Sequence, residues 1–248
     1  MQTGKTQAVR ALDTAEGAVV AARRATVTEL FPPRIAVARG RGALRVTFVA
    51  LAAFMGLFVI VLGKKSARTD LKLTLSLQRH QARWFRSVME AASWPGFPPQ
   101  SRIIPPALSV LWLLLGFPTE ALFQTLAWGA SGISFLVKIV MRRPRPDHPE
   151  VRVAIARIGG TSFPSGHVLN YMGVYGFLAY LLTTFLRPAR VRRAAVGLLI
   201  GLLALVGPSR IYLGHHWATD VTASYLLGTS YLLTLSALYR RVKVWLLR

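Results

Sequence analysis

The chain has 248 residues and no cysteine; 53% of it is hydrophobic, 16% is charged, and the formal net charge is +22. Without cysteine there is neither a disulfide framework nor a thiolate metal site, and the redox compartment stays open. The lysines and arginines lie mostly between long apolar blocks, where anionic lipid headgroups would meet them, which argues against a soluble basic nucleic-acid-binding domain.

Residues 1 to 42 carry Ala, Arg and Thr with Pro32 and Pro33 and lack the short apolar core of a cleaved signal peptide, so a basic cytoplasmic N-terminal extension is expected. The Gly4-Lys5-Thr6 triplet lacks the glycine-rich loop and preceding strand of a phosphate-binding loop and is read as chance. The first charge-free run is Val46 to Gly63, 18 residues long. Between Asp70 and Ala92, Leu71, Leu75, Leu77, Trp84, Phe85 and Val88 recur among Lys72, Arg79, His80, Arg83 and Arg86. That pattern fits an amphipathic helix at the membrane interface, and equally a solvated loop helix. Pro95, Pro98 and Pro99 end it.

Five more charge-free runs follow: Ile103 to Thr119, Ala121 to Val137, Val168 to Leu186, Ala194 to Ser209 and Val221 to Tyr239. Their lengths of 17, 17, 19, 16 and 19 residues approach the roughly 20 needed to cross a bilayer core. The Ile103 run carries Pro105 and Pro106, and the Ala194 run is short. Buried core helices of a soluble protein would also be apolar, but six such runs leave too little polar surface for solubility. An all-α integral membrane bundle of six transmembrane helices is therefore expected, occupying residues 43 to 248, with the interfacial helix between spans one and two.

With six spans, the loops after spans one, three and five share one face. Basic residues divide 16 on the side of the termini against 15 on the other, so raw charge does not orient the chain. If Lys138, Arg145 and Arg210 serve chemistry, the remaining excess favours cytoplasmic termini.

Three polar clusters interrupt the apolar pattern, and parity puts them on one face. Lys138, Arg143, Arg145 and Pro146 leave span three; Pro164, Ser165, Gly166 and His167 enter span four; Ser209 and Arg210 leave span five, with His216 and Asp220 entering span six. Lys138 and Arg145 flank a turn stiffened by Pro144 and Pro146, which aims two cations at phosphoryl oxygens. Ser165, Gly166 and His167 open a helix, where backbone N–H groups and the dipole favour an anion. Arg210 adds a third cation. His216 and Asp220, four residues apart, would share a helix face, so that the carboxylate accepts a hydrogen bond from one ring nitrogen and leaves the other to attack phosphorus. His215 falls off that face and is read as an interfacial neighbour, and His167 is left as general acid. Taken singly, Lys138, Arg142 and Arg143 read as snorkelling headgroup contacts and Ser165-Gly166 as a helix cap; their convergence is what points to chemistry.

Lys138 with six residues before Arg145-Pro146, then Pro164-Ser165-Gly166-His167, then Ser209-Arg210 with five residues before His216 and three more before Asp220, resembles the three-part signature of the type 2 phosphatidic acid phosphatase superfamily. The resemblance covers roughly residues 46 to 240. It implies a six-helix core with its site at the outer face, and hydrolysis of lipid phosphates (phosphatidic acid, phosphatidylglycerol phosphate, polyprenyl diphosphate or lipid A phosphates) through a phosphohistidine, with no metal or other cofactor. By that match His216 is nucleophile, His167 acid and base, and Asp220 the orienting partner, while Lys138, Arg145, Ser165, Gly166 and Arg210 bind phosphate. Soluble vanadium haloperoxidases share the signature, but six spans argue against that branch. The expected partners are a lipid phosphate and membrane lipids, without nucleic acid; oligomeric state is open. A phosphotransferase using the same histidine, or an anion-binding transporter, are the alternatives, the latter leaving the His216 and Asp220 pair without a role. Ala and Arg richness suggests a bacterial inner membrane with the site at its periplasmic or outer face.

Overall fold

A computed structural model describes residues 33–155 and 159–246, with side chains from residue 42 onward. Residues 1 to 32 of the expected N-terminal extension lie outside the described residues. The described elements are α-helices and one short 3₁₀ turn: α1 (Pro33–Leu62), α2 (Ala67–Gln78), α3 (Arg83–Ser93), the turn Trp94–Gly96, α4 (Gln100–Leu114), α5 (Pro118–Trp128), α6 (Ala130–Met141), α7 (Gly166–Phe185), α8 (Ala189–Tyr212) and α9 (Ala218–Leu246). The chain divides into two units, one of residues up to Arg45 together with Ala237 onward, the other Val46–Ser236. In the described residues the first comprises the start of α1 and the end of α9; the second carries every polar cluster singled out above.

Five segments are long and apolar enough to cross a membrane: Gly42–Leu62, Pro118–Met141, Gly166–Phe185, Ala189–Tyr212 and Ala218–Leu246. The sixth expected span differs. Helix α4 has 15 residues, about 22 Å at 1.5 Å per residue against a core of about 30 Å, and the chain turns at Gly116, whose φ is +79°. Pro105 and Pro106 sit inside α4, where each removes a backbone donor to the preceding turn.

The interfacial stretch also differs from expectation. Asp70 to Ala92 forms two helices, and the side of α2 that is buried is polar: Asp70, Thr74 and Gln78, spaced i, i+4, i+8. Leu73 on the same helix is exposed. Gln78 explains the inversion. Its amide donates to the carbonyls of Arg152 and Tyr212 at 2.7 and 2.8 Å and accepts from Arg152 N–H at 3.0 Å. Helix α2 is held by backbone groups of the loops it covers, which a leucine could not satisfy.

Helix α7 is the axis of the larger unit. It packs on α5, α6 and α8, and Leu169, Tyr171, Val174, Phe177 and Leu181 are fully buried. One apolar cluster joins Val168, Tyr171, Val174 and Tyr175 of α7 to Val206 of α8 and Val221 of α9. A second gathers Phe54 and Val61 of α1, Met141, Phe163 and Ala223 beneath the loop that enters α7.

Two irregularities lie within spans. Gly129 separates α5 from α6, and a Cβ there would meet the hydroxyl of Tyr231, which donates to Leu126 O. Pro208 lies inside α8, where its ring frees the carbonyl of the preceding turn. Tyr225 of α9 serves that gap: its hydroxyl accepts from Gly207 N–H at 2.9 Å and lies 2.6 and 3.4 Å from the Leu203 and Ala204 carbonyls. The last turn of α8, carrying Ser209 and Arg210, is thereby fixed against α9.

Gly173 lets α7 approach α5 closely, since a Cβ would strike the Ala127 carbonyl. Gly173→Val is expected to destabilise the protein by about 1–3 kcal/mol through overpacking. Gly132→Ala, in helix α6 with open space around its Cα, is expected to stabilise by roughly 0.5–1 kcal/mol. Thermal unfolding in detergent reads both, and equal effects would refute the close-packing assignment.

Candidate functional site

The site is assembled at the ends of α6, α7 and α8, the start of α9, and the loops between them. Lys138 lies in the last turn of α6 and Arg142 ends that helix in the left-handed conformation, its φ +45°. Arg142 is exposed and donates to Ile139 O at 3.1 Å. From there the loop through Pro144 runs back across the start of α7, tied by Ser162 N–H to Arg143 O at 2.8 Å and Ser162 Oγ to Pro144 O at 2.9 Å.

Arg145 reaches from this loop to the segment between α8 and α9. Its Nη1 donates to His215 O at 2.7 Å and stands 3.2 Å from His216 Nε2, while Nε donates to Gly159 O at 3.1 Å. Lys138 Nζ donates to Thr161 O at 3.1 Å. Arg210 is fully buried; Nη1 donates to Ser93 Oγ at 2.7 Å, and its guanidinium lies 4.9 Å from the centroid of the Phe97 ring. Among the described residues its Nε and Nη2 have no hydrogen-bond partner, and the same holds for His167 Nε2 and Ser165 Oγ. Buried donors of this kind are costly unless a ligand engages them.

At the start of α7 the Ser165 N–H is taken by Ser224 Oγ at 2.7 Å. The intrahelical ladder begins with Leu169 N–H to Ser165 O at 3.1 Å, so the N–H groups of Gly166, His167 and Val168 stand ahead of it. A Cβ on Gly166 would lie 3.5 Å from Ser134 Oγ, an ordinary contact, so glycine here is not forced by crowding.

His216 departs from the expected geometry. It precedes α9 rather than sitting on it, because Gly214 turns the chain with φ +71° and the N–H groups of His215 and His216 both close on Arg210 O, at 3.1 and 3.2 Å. Its Nδ1 therefore meets Ser162 O at 2.8 Å, while Asp220 Oδ2 stands back at 3.6 Å. A carbonyl only accepts, so Nδ1 carries the proton and the Nε2 lone pair points toward Arg145. Burial, and then Arg210, Arg145 and Lys138, push the imidazole well below its ordinary value of 6.5, opposed by the Ser162 hydrogen bond. His216 is thus neutral at physiological pH with a free lone pair among three cations. Burial also lowers the pKa of Arg145, with Asp220 opposing.

His215, expected at the interface, is instead buried, with Nε2 2.8 Å from Ala154 O and its ring edge-on to Phe97. Phe97 also meets His167 edge-on at 4.9 Å. Gly96 lies against the same imidazole so closely that a Cβ would collide with it. The turn after α3 therefore roofs His167 and Arg210, a part that no motif in the sequence announced.

Asp70 is the other unanticipated member, and its partner is Arg143 of the first polar cluster. Arg143 Nη1 donates to Asp220 Oδ1 at 2.5 Å and to Thr219 Oγ1 at 2.7 Å; Nη2 donates to Asp70 Oδ2 at 2.6 Å and faces Ser66 Oγ at 3.3 Å. Asp220 Oδ2 accepts from Trp217 N–H at 2.9 Å. Both carboxylates are fully buried. One signal was available: with nine acidic residues against 31 basic ones, any carboxylate had many cations to choose from. Among the described residues no group of three His, Cys, Asp or Glu side chains is arranged to hold a metal ion.

Residues 108–243 match the sequence profile of the PAP2 superfamily. Phosphatidylglycerophosphatase B of Bacillus subtilis is 34% identical over 119 residues, 48% of this chain and 52% of that protein. Decaprenylphosphoryl-5-phosphoribose phosphatase of Mycobacterium tuberculosis is 32% identical over 104 residues, 42% of this chain and 52% of that one. The chain thus spans about half the length of these curated relatives. The crystal structure described as the first transmembrane PAP2 type phosphatidylglycerolphosphate phosphatase, from Bacillus subtilis, superposes with a TM-score of 0.68 at 23% identity, covering 79% of this chain and 96% of that one. At that identity the likeness is one of fold.

The neutral state of His216 has a consequence for stability. In the unfolded chain a histidine titrates near 6.5, whereas the folded group stays neutral to well below that. Between those limits the unfolded state binds the extra proton, so stability rises with pH and is lost as pH falls through about 6.5. The melting temperature in detergent is expected to drop between pH 7.5 and pH 5, and less so in His216→Asn; equal slopes in both would refute the assignment.

Proposed function

Because the chain belongs to the PAP2 superfamily, we propose that it removes a phosphate group from a membrane lipid by way of a phosphohistidine on His216. The observation that carries this reading is the His216 Nε2 lone pair, held toward Arg145 by the Ser162 carbonyl, beside buried nitrogens of Arg210 and His167 that have no partner among the described residues. Lys138, Arg145 and Arg210 take the non-bridging oxygens, with Ser165 and the N–H groups of Gly166 and His167. The Nε2 lone pair attacks phosphorus, the bond to the lipid oxygen breaks, and His167 protonates that oxygen. A water then attacks the phosphohistidine, His167 takes a proton from it, and inorganic phosphate leaves. Asp220 orients the segment that carries His216. Three cations supply the charge stabilisation that phosphoryl transfer requires, so no metal is invoked.

The relatives are named for phosphatidylglycerophosphate and decaprenylphosphoryl-5-phosphoribose, which favours a phosphomonoester on a lipid; phosphatidic acid and polyprenyl diphosphate belong in the same panel. The sources of those relatives favour a bacterial cell membrane. We place the site at its outer face, with six passes, α4 a short one, residues 1 to 42 as a cytoplasmic extension, and α2 and α3 at the interface.

Phosphate release from that panel is expected to persist in EDTA and to fall by about three orders of magnitude or more in His216→Ala, as for removal of a covalent nucleophile. With phosphate-labelled lipid, His167→Ala is expected to accumulate label that is stable to base and labile to acid, and His216→Ala none. Unchanged release in His216→Ala would overturn the mechanism, and label appearing on an added alcohol rather than as free phosphate would make the protein a phosphotransferase.

A further inference from the structure

Asp70 lies outside all three polar clusters, on a helix whose apolar spacing suggested a membrane surface, yet it is fully buried and makes three hydrogen bonds at the site. Oδ1 accepts from Thr219 N–H at 2.9 Å, and Oδ2 accepts from Thr219 Oγ1 at 2.8 Å and from Arg143 Nη2 at 2.6 Å. Thr219 is the second residue of α9, so Asp70 of α2 supplies in trans the carboxylate that helix starts ordinarily draw from their own cap. Arg143, its other partner, spends its remaining edge on Asp220 Oδ1. That leaves Oδ2 of Asp220 for Trp217 N–H and the Nδ1 side of His216.

We infer that Asp70 is a positioning residue for the reaction: it anchors Arg143 away from the substrate phosphate and, through Arg143 and Thr219, fixes the Asp220 carboxylate behind His216. The inference rests on the proposed use of His216. Its geometry also assigns Arg143 a different part from its neighbours. Among the described residues Lys138, Arg145 and Arg210 have no carboxylate within ion-pair distance, whereas Arg143 has two, at 2.6 and 2.5 Å. Two carboxylates on one guanidinium leave it little attraction for a third anion, so Arg143 belongs to the scaffold although the sequence puts it between two phosphate-binding cations.

The test uses full-length Asp70→Asn. The amide oxygen still accepts from Thr219 N–H, so the start of α9 keeps its cap. The NH₂ group, however, faces the Arg143 donors and releases them. Expected is a fall in kcat of about 10- to 100-fold, the scale of a misplacement of around 1 Å, with KM within about threefold because the phosphate-binding cations are untouched. Asp70→Asn combined with Asp220→Asn should be no slower than Asp220→Asn alone, since the first acts through the second. A wild-type kcat in Asp70→Asn, a change confined to KM, or multiplying losses in the double variant would each overturn the inference. A second readout needs no turnover: in ¹⁵N-histidine spectra of the detergent-solubilised protein, the His216 Nδ1–H resonance should shift in the same direction in Asp70→Asn and Asp220→Asn. An unmoved resonance in Asp70→Asn would overturn the inference even where wild-type protein releases phosphate. A shift in wild-type protein that turns over no lipid would leave the positioning intact and sink the proposed activity instead.

Discussion

Arg143 is bonded along one edge to Asp70 and along the other to Asp220, and that pair of contacts ties α2 and the loop after α6 to the start of α9. The residue stands on the loop after α6, Asp70 on α2 and Asp220 in the first turn of α9, so one guanidinium joins three parts of the chain separated by 73 and 77 positions. A buried ion pair of this kind is weak evidence for stability, because desolvation offsets much of the attraction. What it does supply is registry. A carboxylate in a low-dielectric interior accepts few arrangements, and these fix the α6–α7 loop against the start of α9 before any ligand arrives.

The same economy governs the three cations without carboxylate partners. Arg145 spends its donors on the His215 and Gly159 carbonyls, Lys138 on Thr161 and Arg210 on Ser93. Carbonyls and a hydroxyl hold the side chains in place while leaving their charge uncompensated, so the pocket keeps a positive potential that an anion can neutralise. Had the carboxylates been shared out evenly among all four cations, the geometry could be equally well fixed and the affinity for an anion would be gone.

Spacing singled out Lys138, Arg145, Ser165, Gly166, His167, Arg210, His216 and Asp220 as candidates, because loops at the ends of apolar helices have few places to go. The structure gathers these around one pocket, though Ser162 rather than Asp220 takes the His216 hydrogen bond. Other features were not legible, for definite reasons. On α2 the leucines at 71 and 75 and the polar stripe of Asp70, Thr74 and Gln78 share the same four-residue spacing; periodicity announces a helix but not which face turns inward. The roof formed by Ser93, Gly96 and Phe97 acts on residues as much as 117 positions away, and nothing local marks it. The expected span over Ile103 to Thr119 overran because an apolar run does not reveal where its helix ends; here the turn at Gly116 decides.

The family profile begins at residue 108, whereas Asp70, Ser93, Gly96 and Phe97 all precede it. The candidate site therefore draws on two stretches of the chain, the clusters inside the matched range and an earlier segment that contacts Arg143, His167 and Arg210. Two chains with identical signatures could therefore differ in the segment that packs against His167 and Arg210. Completeness of the motif and completeness of the pocket are separate properties, and a fragment that began at residue 108 would possess the first without the second.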